Sequence, residues 1–209
     1  MQFTFSPAWF TLTNIAIFGA SAIVALLLSL YIFKIFAFSK NAHHKHLSAS
    51  FLAIAAAFIV SAAGHLFSTY NLFGRHAQGI AFYTFNVVRS PVRFYALGEL
   101  AFRFLLLAGL IGIFHVLEHN ENKKTIALTL FLAAITALFS LTHYYIFFIA
   151  TFVVTALITY RLLCNYLHKS SGRTASLFAA FAIITLSQAM LVFAALETIY
   201  VQAILVQLL

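Results

Sequence analysis

Glu99 and Arg103 are the side chains best placed to do chemistry in this 209-residue chain. They lie four residues apart, so on a helix they share a face, and Glu preceding Arg is the better order for pairing. The stretch around them, Phe94 to Val116, is otherwise apolar and long enough to cross a bilayer. At 1.5 Å of rise per residue, Glu99 falls about 7 Å and Arg103 about 13 Å below the start of that stretch. A charge at such depth is costly and normally faces a bundle interior or a wet cavity. The pair therefore either neutralises itself and fixes helix packing, or lines a charged pocket. In a pocket, the planar fork of guanidinium donors suits a carboxylate or a phosphate.

Other polar side chains fall at a similar depth. His65, His143 and Gln188 are the nearest by position, with Asn14, Thr142, Tyr144, Ser187 and Glu197 around them. If these face inward they converge with Glu99 and Arg103 on one ligand pocket. No catalytic residue is assigned.

Nine histidines in so uncharged a chain raise metal and haem chemistry. His115-Val-Leu-Glu118-His119 fits the H-x-x-E-H inverted zinc-protease pattern, with both histidines on one helical face. The motif stands at the end of an apolar segment with no soluble catalytic domain around it, so His115 and His119 are weak metal candidates. Membrane di-iron hydroxylases and desaturases resemble one another in boxes such as H-x-x-x-H and H-x-x-H-H. Here His115 and His119 supply one box, His43-His44-Lys45-His46 a poor second, and a third is missing. A b-type haem needs two imidazoles from different helices at matching depth, and His65 with His143 is the available pair. The cofactor stays unknown.

The elements that must position these residues are set by composition. The chain is 64% hydrophobic and 8% charged, against roughly 25% charged residues in soluble domains. A bilayer accounts for this. The net charge of +8 is spread over short loops, so it marks topology and contacts with anionic lipid rather than nucleic acid. One cysteine, Cys164, excludes an intrachain disulfide. The N-terminus lacks a basic n-region and a cleavage site, so the first apolar run is expected to remain in place.

Six apolar runs approach the ~20 residues a span needs: about Asn14 to Phe38, Leu47 to Tyr70, Phe94 to Val116, a short Thr125 to Leu141, Tyr144 to Leu163, and Ala175 to Leu196. A seventh starts near Ile199 and stops at Leu209, which is expected of a fragment of a longer chain or of a last helix that is re-entrant or buried in the bundle. The expected fold is all-α: one transmembrane helical bundle of six full spans and a partial seventh. Lys34, Lys40, Lys45, Lys123, Lys124, Arg161, Lys169 and Arg173 fall on one side, and Arg75, Arg89 and Arg93 on the other. The positive-inside rule then puts the N-terminus outside in a multi-pass protein of the cell membrane. The connection from Asn71 to Arg93, punctuated by Gly74, Gly79 and Pro91, carries the apolar stretch Ile80 to Phe85 and is expected to lie in the interface. Small residues recur every four in Ala53, Ala57 and Ser61, and in Ala108 and Gly112. Such faces let helix backbones approach closely, which places the second and third helices at the centre.

Ser29-Leu-Tyr-Ile-Phe-Lys-Ile-Phe, a short basic loop and then Ser48 to Phe67 resemble the first two helices of uncharacterised archaeal multi-helix membrane proteins. Leu186 to Leu209 is similar to their sixth-to-seventh helix hairpin. The resemblance covers about a third of the chain. It implies six to seven helices and carries no activity with it.

Three functions compete. The first is a non-enzymatic sensor, ligand-binding bundle or small subunit of a membrane complex, with the bilayer and other membrane subunits as partners. The second is a transporter or channel for a small solute or ion, which requires a continuous polar path and sits poorly with the apolar inner halves of the helices. The third is a haem- or metal-binding redox protein using the histidines.

Overall fold

The computed structural model describes residues 8–76, 89–118, 122–168 and 172–207. Among these, every element is a helix: α1 (Ala8–Ser39), α2 (Ala42–His76), α3 (Arg89–Glu118), α4 (Lys123–Ser140), α5 (Tyr144–His168) and α6 (Gly172–Gln207). Lipid offers no partner for a free peptide group, and a helix satisfies its own. Five stretches are long and apolar enough to cross a membrane: Ile15–Ser39, Ala42–Leu66, Ala96–Glu118, Tyr144–His168 and Thr174–Ala195. The apolar part of α4, Lys124–Ser140, is shorter.

Three expectations change. The runs expected as a sixth and a seventh helix form one helix of 36 residues, α6, so no hairpin separates Leu196 from Ile199. At 1.5 Å per residue α6 measures about 54 Å, well beyond a ~30 Å hydrocarbon core. Only polar Glu197 and Thr198 interrupt the apolar run there, and neither breaks a helix. The description is therefore five spanning stretches rather than six and a seventh. Third, α2 continues past Tyr70 to His76 and α3 begins at Arg89 rather than Phe94. Gly74 is tolerated inside a helix at about 1 kcal/mol, and Pro91 sits in the first turn of α3, where no N–H partner is lost. The expected interfacial segment Ile80 to Phe85 lies outside the described residues.

The chain divides into two compact units, Met1–Leu106 and Leu107–Leu209. In the first, α1 and α2 form a tight hairpin. Lys40 takes the left-handed conformation, φ 53°, and its N–H donates to the Phe36 carbonyl at 2.8 Å. The Asn41 side chain then accepts from His43 N–H at 3.0 Å, capping α2. Farther along, Ser29 Oγ donates to the Ser48 carbonyl at 2.9 Å and Ser48 Oγ to the Ser29 carbonyl at 3.0 Å. Backbones this close need small side chains, and Ala22, Ala25, Ala55, Ala57 and Ser61 are buried in the same unit. The close approach does not extend to Gly64, where a Cβ would meet nothing within 4 Å.

In the second unit α5 buries one face through Phe147, Thr151, Thr155, Ile158 and Leu162. The spacing of four, four, three and four is that of a single helical stripe. Thr151 and Thr155 give their hydroxyl hydrogens to carbonyls four residues back. Thr159 reaches across to Thr185 of α6, oxygen to oxygen 2.8 Å, and Tyr166 stacks on Phe178 with ring centroids 6.5 Å apart. The outward faces of α1 and α6 are apolar: Ile23, Leu27, Ile183, Leu186 and Phe193 are all exposed, as lipid-facing side chains are.

Candidate functional site

The first unit holds the charged pair. On α3 the helical period brings Arg103 over Glu99, and Nε and Nη2 both donate to the single oxygen Oε1, at 3.0 and 2.9 Å. The Arg103 side chain is 13% exposed and that of Glu99 25%. The pair starts one turn inside the spanning stretch that opens at Ala96.

Beside it, Phe18 of α1 and Phe58 of α2 both meet Phe102, the neighbour of Arg103, at centroid distances of 6.1 and 6.2 Å. His65 stacks on Phe18 at 5.5 Å with the rings 13° from parallel. The aromatic group therefore ties α1, α2 and α3 together around Phe102, and His65 belongs to its edge. The other pocket candidates lie in the second unit. His143 stands in the α4–α5 turn, exposed, with its ring 5.6 Å from Tyr145, and Gln188 is half-buried on α6. Glu99 and Arg103 are thus brought together directly, His65 joins their unit through Phe18 and Phe102, and His143 and Gln188 belong to the other unit. The side chains of Asn14 and Glu197 lie outside the description.

A second polar group stands at the opposite end of α3. His115 is only 6% exposed. Its Nε2 lies 2.9 Å from Thr129 Oγ1 on α4. That hydroxyl has carbonyls of Thr125 and Ile126 within 3.0 Å to donate to. If the hydroxyl hydrogen goes to either carbonyl, its lone pair is left to accept from a protonated Nε2. Nδ1 is buried with no hydrogen-bond partner among the described residues. One turn on, Glu118 accepts from Arg161 Nη2 of α5. The expected metal residue His119 lies outside the described residues, and among those described no three His, Cys, Asp or Glu side chains gather to hold a metal ion.

Sequence reasoning assigned Glu118 to a metal motif and Arg161 to topology, and missed that they pair. A signal existed: opposite charges near the ends of two spans. Thr129, a lone hydroxyl midway in an apolar run, was a weaker hint.

No family model, curated protein or solved structure matches the chain. The fold and composition are those of an α-helical integral membrane protein.

Proposed function

We propose that the chain is a non-catalytic membrane module, a small-ligand-binding or sensory bundle acting within a membrane complex, whose binding group is the Arg103 guanidinium. In this reading the N-terminus is outside and the Glu99–Arg103 end of α3 opens outward. The observation that supports it is the geometry of the pair. Arg103 is largely buried inside the spanning stretch, and its Nε and Nη2 donate to the Glu99 carboxylate. A guanidinium bonds best to two oxygens through two parallel N–H groups. An incoming carboxylate or phosphate can offer that arrangement, with Glu99 released to act as the gate. Phe18, Phe58 and Phe102 supply apolar walls beside it. The likeness to uncharacterised archaeal multi-helix membrane proteins, carried now by the pattern of Ser29 to Phe67 since the hairpin expected for Leu186 to Leu209 is part of the continuous α6, belongs to the same reading.

The test is thermal unfolding of the detergent-purified chain against a panel of small carboxylates and phosphates. A ligand of this class raises the midpoint of the wild type. Arg103→Lys, which keeps the charge and loses the fork, abolishes the rise. The reading fails if no anion moves the wild type, or if Arg103→Lys responds as well as the wild type does.

A further inference from the structure

The first 98 residues contain no carboxylate side chain: the four acids are Glu99, Glu118, Glu121 and Glu197. Glu99 is engaged by Arg103 and Glu118 by Arg161. The two acids left cannot balance the ten remaining lysines and arginines. The counter-ions for most of these cations must come from outside the chain.

One ordered feature concentrates the excess. At the α1–α2 turn Lys34, Lys40, Lys45 and His46 are exposed, and His43 and His44 are half-buried. The turn is built rather than slack. Lys40 occupies the left-handed region, Asn41 caps α2, and the hairpin beneath is clasped by Ser29 and Ser48. The first turn of α2 adds the positive end of its helix dipole to the same spot.

Around and below the lysines the surface is apolar. Phe38 is 82% exposed, Tyr31 65% and Phe33 53%. Rings so open have their place among acyl chains. Lysine stems run along such surface and carry the ammonium to the polar layer. Tyr31 and Phe33 beneath and the lysine ammonium groups toward the turn repeat the order of a bilayer interface, from chain to headgroup.

We propose that the α1–α2 turn is a binding surface for anionic phospholipid headgroups, held by Lys34, Lys40 and Lys45, with Tyr31 and Phe33 seated among the acyl chains below and Phe38 at the interface beside the turn. The ammonium groups are point charges on flexible stems, so the surface selects charge rather than headgroup shape.

The test uses the full chain in nanodiscs of equal phosphatidylglycerol and phosphatidylcholine, with bound lipid read by native mass spectrometry on release. The two leaflets are alike, so the result does not depend on which way the chain inserts. The wild type retains phosphatidylglycerol over phosphatidylcholine. Each of Lys34→Gln, Lys40→Gln and Lys45→Gln lowers that preference about fivefold, the value of one basic residue near a charged surface. The triple Lys→Arg variant keeps it, and excess glycerol phosphate does not displace the lipid. The proposal is overturned if the glutamine variants retain phosphatidylglycerol as the wild type does, if Lys123→Gln/Lys124→Gln costs as much as they do, or if glycerol phosphate competes.

Discussion

Glu118 on α3 and Arg161 on α5 form an ion pair across 43 residues of sequence. Their side chains are 31% and 43% exposed, so water and headgroups screen the attraction. Glu118→Gln should therefore destabilise only modestly, by about 1 kcal/mol. A double-mutant cycle with Arg161→Gln, read from unfolding midpoints in detergent, should show positive coupling. Additive effects would mean the contact contributes nothing.

Arg103 and Glu99 should behave differently because they are more enclosed. Arg103→Ala strands a carboxylate inside the spanning stretch and should cost about 3–5 kcal/mol. Glu99→Gln/Arg103→Gln removes both charges and should recover most of the loss. A double variant no more stable than Arg103→Ala would show that the charges themselves hold the helix.

His115 Nε2 is paired with Thr129 Oγ1 at 2.9 Å. Thr129→Val keeps the side-chain shape but strands Nε2 as well as Nδ1, and should cost about 1–3 kcal/mol. In a His115→Phe background the same change should be close to neutral. Equal costs in both backgrounds, measured by thermal unfolding, would assign the effect to packing on α4 instead.

The Ser29–Ser48 crossing should be limited by volume more than by hydrogen bonding. Ser29→Ala should cost about 0.6 kcal/mol, a typical interhelical hydrogen bond in a membrane. Ser29→Leu, which forces the backbones apart, should cost about 1–3 kcal/mol. If the two substitutions prove equally mild in a detergent melt, the helices are not in close contact there.

Periods and run lengths along the chain already set much of the helical layout. Apolar runs of span length give helices, because lipid leaves the backbone no other partner. Four residues of spacing put Arg103 over Glu99, since both ride on one helix and no other element need be known. The small residues Ala57 and Ser61 were legible as a contact face for the same reason, and both are buried. Where a helix stops was less legible. Gly74 and Pro91 looked like punctuation, yet neither ends its helix, because one glycine costs only about 1 kcal/mol and a first-turn proline loses no hydrogen bond. The continuity of α6 through Glu197 and Thr198 is of the same kind, since neither residue breaks a helix. Tertiary structure alone decided which side chains meet between helices. Ser29 with Ser48, His115 with Thr129, Thr159 with Thr185 and Glu118 with Arg161 stand 14 to 43 residues apart. Each contact depends on the rotation of two helices about their axes and on their relative height. Neither is written in a period along one chain; both emerge only when the side chains of two faces must pack together.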